Sequence, residues 1–176
     1  MKIILTEEGH ENGSYEIEKK NTTMKTKYML IPLLCALCAC SSTEKDTSVP
    51  EIVPVGEATA PLNCQEYPRG GAIFFDYLFK DDTELGAYNI EIHNNFDHHT
   101  HSTEAGECRQ DPVKEPVNPW IFNKDYPIPA GSASFDAKQT IPVPADVDPG
   151  EYHFMIRLTD RSGWQQLKSI SIRVLE

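Results

Sequence analysis

The chain has 176 residues, which suffices for one domain of ordinary size with appended segments and is too short for a large barrel enzyme. Aspartate and glutamate together number 27 against 16 lysines and arginines, so the formal net charge is -11. This acidic balance repels phosphate backbones, and nucleic acid is therefore not an expected partner.

A basic stretch followed by an apolar one, beginning at Met24, predicts a secretory signal. Lys25 and Lys27 precede the apolar segment 28–37, which is the order of the n-region and h-region of a signal peptide. The apolar segment is shorter than the roughly 20 residues that a membrane-spanning helix needs. We therefore interpret residues 1–39 as an upstream extension plus a signal peptide, with Met24 as the true start.

The apolar segment ends in Leu37-Cys38-Ala39-Cys40, which resembles the bacterial lipobox. That resemblance implies lipidation of Cys40 and a lipid anchor in a membrane of the bacterial cell envelope, either periplasmic or surface-exposed on the outer membrane. The alternative is an ordinary cleavage site with an incidental cysteine. Residues 40–61 are rich in Ser, Thr, Glu, Val and Pro without a hydrophobic period, and this composition predicts a flexible tether.

Strand patterns begin near residue 70 and continue to the C-terminus. Segment 72–79 is rich in aromatic residues, segments 87–93 and 152–158 alternate between apolar and polar residues, and segment 164–175 supplies a last strand. No segment of useful length has a helical period. We therefore predict one all-β domain over residues 62–176, an antiparallel β-sandwich. The expected core includes the following residues: Phe74, Tyr77, Phe79, Tyr88, Ile90, Ile92, Tyr152, Phe154, Ile156, Leu158, Leu167, Ile170, Ile172 and Val174.

The segment Asp148-Pro149-Gly150-Glu151-Tyr152 resembles the tyrosine corner of immunoglobulin-like sandwiches. In that motif the phenol hydroxyl bonds to the chain a few residues upstream. By this analogy the Tyr152 strand is strand F, the Trp164 strand is strand G and the Ile90 strand is strand C. Strands C and F are then antiparallel neighbours in one sheet.

Two cysteines, Cys64 and Cys108, lie outside the signal region. Exported proteins keep disulfides, so we predict a bridge between them, with two free thiols as the alternative. The bridge would fasten a long loop, residues 94–130, to the domain. Closing a loop of about 40 residues contributes on the order of 4 kcal/mol in the chain-entropy model.

Four of the six histidines fall between residues 93 and 101. His93 lies at the end of strand C and His153 near the start of strand F, and alternation assigns both to the solvent face. We predict that these two form a pair and that one or two histidines of the loop complete a metal site. The loop candidates are His98, His99 and His101, with Asp97, Glu104 or Glu107 as further oxygen ligands.

Mixed imidazole and carboxylate ligands suit Zn, Cu(II) or Ni, and Cu is favoured by the Irving–Williams order. Two alternatives to a metal site are a polar surface where the histidines contact another ligand and a stretch without a specific role. Catalysis is not expected, because the sequence has no His-Glu-x-x-His and no Gly-x-Ser-x-Gly motif. We therefore assign no catalytic residue.

A second class of function is a module for adhesion or for binding glycans or peptides. Trp120, Phe122 and Tyr126 lie in the long loop and could form an aromatic platform, although such residues more often pack a loop onto its own domain. The segment 160–163, Asp-Arg-Ser-Gly, is interpreted as a hairpin turn, with a calcium-ligand role for Asp160 as the less favoured alternative.

Three stretches together resemble a known family. They are Ile-His-x-x-Phe-Asp-x-His-x-His over residues 92–101, Gly-Glu-Tyr-His-Phe over 150–154, and Thr-Asp-Arg-Ser-Gly-Trp over 159–164. The pattern is similar to an uncharacterised family of bacterial lipoproteins with a single domain of unknown function. The resemblance covers roughly residues 61–176. It implies an immunoglobulin-like fold and a lipid-anchored position in the cell envelope, without an established activity.

Overall fold

Within residues 45–101 and 108–176, which the computed structural model describes, the chain forms eight β-strands and one short 3-10 helix. The strands are β1 (Glu51–Val53), β2 (Gln65–Pro68), β3 (Ala72–Lys80), β4 (Leu85–Asn94), β5 (Phe122–Pro127), β6 (Ser134–Pro142), β7 (Gly150–Asp160) and β8 (Gln165–Leu175). The 3-10 helix is Gly56–Ala58. No helix within these two ranges has the length and apolar character needed to cross a bilayer.

Several predictions concern residues outside the described ranges. These are the signal peptide over residues 1–39, the lipidated Cys40, and the oxygen ligands Glu104 and Glu107. They stay predictions.

The strands form two sheets, one with the order β1-β3-β6 and one with the order β2-β8-β7-β4-β5. Neighbouring strands are antiparallel except for β2, which runs parallel to β8. The predicted all-β sandwich is confirmed, and the strand order is consistent with an immunoglobulin-like fold. The strands that we predicted as C and F, which are β4 and β7, are antiparallel neighbours as expected.

The core lies between the inward faces of the two sheets, because each strand sends alternate side chains to opposite sides. In β3, Phe75, Tyr77 and Phe79 are buried. Phe74 was predicted to lie in the core, but it is 68% exposed because its position falls on the outward face of the strand. The prediction for Leu167 was wrong for the same reason, since this residue is 51% exposed on the outward face of β8.

Tyr152, at the start of β7, forms the predicted tyrosine corner. Its hydroxyl donates to the backbone carbonyl of Asp148 at 2.6 Å and accepts from the backbone N–H of Trp120 at 3.2 Å. The side chain is fully buried. The corner therefore fixes how the chain enters β7, the strand that carries His153.

The sandwich begins earlier than the predicted boundary at residue 62. Strand β1 pairs with β3, and Ile52 is buried in the core. Residues 51–53 of the expected tether are thus part of a sheet. Likewise, the predicted loop 94–130 contains β5, which pairs with β4 over residues 122–127.

The predicted disulfide between Cys64 and Cys108 is present, with the two Cα atoms 5.3 Å apart. Cys64 lies directly before β2, and its N–H donates to the backbone carbonyl of Ser171 in β8 at 2.8 Å. The bridge therefore attaches the far end of the histidine-containing segment to the five-stranded sheet.

Candidate metal centre

His93 and His153 are directly opposite each other on neighbouring strands. His93 is the ninth residue of β4, His153 is the fourth residue of β7, and the two are cross-strand partners in the antiparallel register. Their ring centroids are 5.5 Å apart. The predicted cross-strand pair is confirmed.

His153 differs from the prediction in its burial. We expected both rings on the solvent face, but His153 has no exposed surface. The reason is that the segment after β4 folds back over this face of the sheet. Nε2 of His153 lies 3.0 Å from the backbone carbonyl oxygen of His99 and can donate a hydrogen bond to it.

The same segment brings two more imidazoles to the pair. His99 and His101 pack against His93 and His153 so that every pair among the four rings has a centroid separation between 4.9 and 5.5 Å. Because all six distances between the four ring centroids are nearly equal, the rings form a compact, roughly tetrahedral cluster. We call these four side chains the histidine cluster.

Three rings of the cluster have nitrogens that one ion could reach. The candidate ligand atoms of His93, His99 and His101 all lie within 4.8 Å of one another. Nε2 of His93 and Nε2 of His101 are 3.1 Å apart. Two nitrogens bound tetrahedrally to one zinc ion at about 2.0–2.1 Å lie roughly 3.3–3.4 Å apart, so this pair needs only a small adjustment.

Carboxylates approach the ring nitrogens that would face away from the ion. Asp97 Oδ1 forms a hydrogen bond with Nδ1 of His99, which leaves Nε2 of His99 as the free nitrogen. Oε1 of Glu91 lies 3.1 Å from Nδ1 of His93, although the two are not aligned for a hydrogen bond. Such carboxylate–histidine contacts orient metal-binding imidazoles and raise their basicity.

Burial keeps the strand-borne imidazoles uncharged at neutral pH. Desolvation lowers the pKa of His153 to about 4, despite the opposing hydrogen bond to the His99 carbonyl. Desolvation also lowers the pKa of His93, against the charge of Glu91. Since only a neutral imidazole has a free lone pair, His93 is ready to bind a cation near pH 7 without first losing a proton.

A comparison with protein families identifies a match to the family described as Domain of unknown function (DUF4625), over residues 38–175. The chain belongs to this family. No curated protein matches the sequence. The DUF4625 match includes all eight strands and the whole histidine cluster, and because the family has no assigned function, the function of the cluster has to be argued from its geometry.

His98 of the DUF4625 domain was predicted as a ligand, but it does not join the cluster. Its backbone adopts the left-handed conformation with φ of 60°, which turns its side chain away from its neighbours' rings. Its Nε2 lies 3.6 Å from Oε2 of the buried Glu151 instead. A single residue with positive φ thus separates His98 from His99 and His101, which the sequence alone could not distinguish.

Two carboxylates near the cluster contact its imidazoles, one of them in a role other than the predicted one and the other without a predicted role. Asp97 was expected as an oxygen ligand, but it contacts the His99 ring, and this hydrogen bond holds the pKa of Asp97 below its usual range. Glu91 was missed. The signal was available, since Glu91 and His93 are two residues apart on one strand and therefore share a face.

Three aromatic side chains of the DUF4625 domain, Trp120, Phe122 and Tyr126, pack against their own domain, as we expected in preference to an exposed platform. Trp120 is 4% exposed. Tyr126 stacks on the buried Tyr88 with ring centroids 4.8 Å apart, and Phe122 is partly buried against the core. An aromatic surface for glycans is therefore not formed by these three residues.

Proposed function

We propose that this protein is a lipoprotein of the bacterial cell envelope whose β-sandwich binds a divalent transition metal ion, Zn, Cu or Ni. In this proposal the ligands are His93, His99 and His101, and His153 holds the loop in place. The role is metal binding without catalysis. A lipid on Cys40 anchors the protein to its membrane.

The observation that carries the proposal is that the candidate ligand nitrogens of three imidazoles lie within 4.8 Å of one another. Two ligands come from the loop and one from the sheet, so binding an ion would close the loop onto the strand. Nε2 of His93 and Nε2 of His101 already face each other at 3.1 Å. In the absence of an ion one ring has to donate to the other, and a metal ion would replace that proton.

The donor set favours borderline transition metals over calcium or magnesium. Neutral imidazole nitrogens suit Zn, Cu and Ni, whereas Ca and Mg prefer oxygen. Three imidazoles leave at least one coordination position for water or for a ligand from outside the described residues. Cu(II) is the tightest binder expected on the Irving–Williams order.

His153 is a positioning residue in this scheme. Its Nε2 is engaged by the His99 carbonyl, and it is not part of the group of atoms that one ion could reach. Its ring lies under the other three and ties the loop to β7. We expect its removal to weaken metal binding less than the removal of His93 does.

The envelope location is supported by two features of the chain. The sequence ending at Cys40 resembles a lipobox, and the Cys64–Cys108 disulfide suits an oxidising compartment. Mass spectrometry of the protein purified from bacterial membranes tests the anchor. A diacylated N-terminal Cys40 is expected, and an unmodified N-terminus at another residue would contradict it.

Calorimetric titration with Zn and with Cu tests the metal site. The matched variants are His93→Asn and His98→Asn, which make the same chemical change inside and outside the cluster. Asparagine tolerates the left-handed backbone of residue 98. We expect one saturable site per chain, lost or weakened at least about tenfold in His93→Asn and in His101→Asn, and retained in His98→Asn.

Glu91→Gln provides a finer test, since it removes the charge beside His93 and keeps the size of the side chain. Loss of an outer carboxylate typically lowers metal affinity about 10- to 100-fold. If His93→Asn and His98→Asn bind Zn and Cu equally well, the proposed site is wrong. Equal metal affinity of the wild type and Glu91→Gln would contradict only the role proposed for the Glu91 carboxylate and not the three histidine ligands.

A further inference from the structure

A second group of potential metal ligands lies far from the histidine cluster. It consists of Asp46, which precedes β1, Asp81, which follows β3, and Asp160, the last residue of β7. One carboxylate oxygen from each lies within 4.8 Å of the others. Asp160 is seven residues from His153 along β7, or roughly 23 Å at about 3.3 Å per residue, so the two sites are separate.

Each of the three aspartates uses one oxygen to bind the backbone of its own turn. Asp46 Oδ1 accepts from the N–H of Ser48 at 2.9 Å. Asp81 Oδ2 accepts from the N–H groups of residues 83 and 84 at 2.9 and 2.7 Å. Asp160 Oδ1 accepts from the N–H of Trp164 at 2.8 Å. These bonds fix the orientation of all three carboxylates.

The second oxygen of each carboxylate has no such partner. Asp46 Oδ2, Asp81 Oδ1 and Asp160 Oδ2 are all inaccessible to solvent and form no hydrogen bond with any described residue. Asp160 is only 4% exposed as a whole residue. A buried carboxylate oxygen without a partner is costly, and buried charges in proteins are normally paired or bound to metal ions.

Three carboxylates with oxygens within 4.8 Å of one another, one of them on the buried Asp160, also repel one another. Within the described ranges, no lysine, arginine or histidine forms an ion pair with Asp46, Asp81 or Asp160. The group therefore concentrates negative charge around three free oxygens. A multivalent cation at the centre would satisfy both the charge and the unpaired oxygens.

We propose that Asp46, Asp81 and Asp160 bind a calcium ion. Calcium takes six to eight oxygen ligands at about 2.3–2.6 Å and tolerates irregular geometry. Two oxygens on the same calcium ion are then at most about 5.2 Å apart, so three oxygens that lie within 4.8 Å of one another can share one ion. Zinc and copper prefer nitrogen or sulfur donors, so this all-oxygen group selects a different ion from the histidine cluster.

The bound ion would fasten the N-terminal segment to the sandwich. Asp46 reaches the domain five residues before β1, whereas Asp81 and Asp160 belong to the ends of two strands in different sheets. The indole Nε1 of Trp164 also donates to the backbone carbonyl of Asp46 at 3.1 Å. The site thus defines where the tether ends and the folded domain begins, and calcium would reinforce that junction.

Trp164 provides a direct spectroscopic test with terbium, which replaces calcium and emits when a nearby indole is excited. The purified protein, freed of metal by chelation, is titrated with Tb³⁺ and then with Ca²⁺. We expect terbium emission on tryptophan excitation, saturation at one ion per chain and displacement by calcium. The emission should disappear in Trp164→Phe at saturating Tb³⁺, and its persistence would overturn the assigned position.

The matched variants are Asp160→Asn and Asp125→Asn, which remove the same charge inside and outside the group. Asp125 lies on the exposed strand β5 and binds Asn89. Calorimetry should give calcium affinity at least about tenfold weaker in Asp160→Asn and unchanged in Asp125→Asn. Asp46→Asn, which lies outside every strand, should show the same loss and serves if Asp160→Asn does not fold.

Two results would overturn the calcium site. One is the absence of saturable calcium binding up to about 10 mM, which is beyond the 10⁻⁴–10⁻³ M range of extracellular calcium modules. The other is equal calcium affinity in the wild type, Asp46→Asn and Asp160→Asn. The His93→Asn variant should bind calcium normally, so failure of the transition-metal proposal would leave this one intact.

Discussion

Acidification should destabilise the metal-free domain through the buried imidazole of His153. In the folded protein burial lowers the pKa of this ring to about 4, whereas an unfolded histidine titrates near pH 6.5. As the pH falls below about 6.5, His153 binds a proton in the unfolded chain but stays neutral in the folded chain. Stability contributed by the neutral ring is therefore complete above about pH 6.5 and is lost as the pH falls toward about 4.

The size of the effect follows from the difference between the two pKa values. A difference of about 2.5 pKa units at 1.36 kcal/mol per unit gives roughly 3 kcal/mol for the full titration. His153 has no exposed surface, so a protonated ring in the folded domain would not be hydrated by solvent. For a domain of ordinary stability, about 5–15 kcal/mol, this is a large fraction.

Urea unfolding in a chelating buffer, at several values between about pH 7 and pH 4, measures this loss. The comparison is His153→Gln, because glutamine has a donor for the His99 carbonyl and does not titrate. The free energy of unfolding of the wild type should fall by about 3 kcal/mol more than that of the variant over this range. Parallel pH curves for the two proteins would refute the assignment of a buried neutral imidazole.

Two further predictions concern the fold. Tyr152→Phe removes the hydrogen bond to the Asp148 carbonyl and should lower the free energy of unfolding by about 1–3 kcal/mol. Tyr67→Phe should change it little, because the buried Tyr67 hydroxyl has no hydrogen bond to the described residues. Urea titration of both variants measures the two losses, and equal losses would contradict the prediction. Replacing Cys64 and Cys108 together by serine should cost on the order of 4 kcal/mol relative to the oxidised wild type, in the chain-entropy model for a separation of 44 residues. Urea unfolding measures this loss, and reduced wild type should unfold like the variant.

Much of the site could be predicted from local pattern. Alternation assigned Ile92 to the core side of its strand and His93 to the other, and Tyr152 and His153 likewise. The tyrosine-corner resemblance then set which two strands are neighbours. The pairing of His93 with His153 follows from these two facts, and the register confirms it.

The choice among the loop histidines could not be predicted in this way. His98, His99 and His101 are equivalent by composition and spacing. The left-handed backbone at His98 directs that ring to Glu151, and the fold-back of the loop buries His153 beneath His99. Backbone torsions in an irregular segment depend on contacts with the rest of the domain. Such a segment has no sequence periodicity from which these torsions could be predicted.

The sequence by itself determined strands β3, β4, β7 and β8, the core faces of β4 and β7, the disulfide and the tyrosine corner, because each of these depends on residue type and short spacing. Only the tertiary structure decided that Asp46, Asp81 and Asp160 converge and that β5 lies within the expected loop. These residues come from segments far apart in the chain, and their proximity depends on which strands pair and where the N-terminal segment packs. The outward face of β7 was assigned to solvent by alternation, but the fold covers it, since alternation specifies the side of a sheet and not what packs against that side.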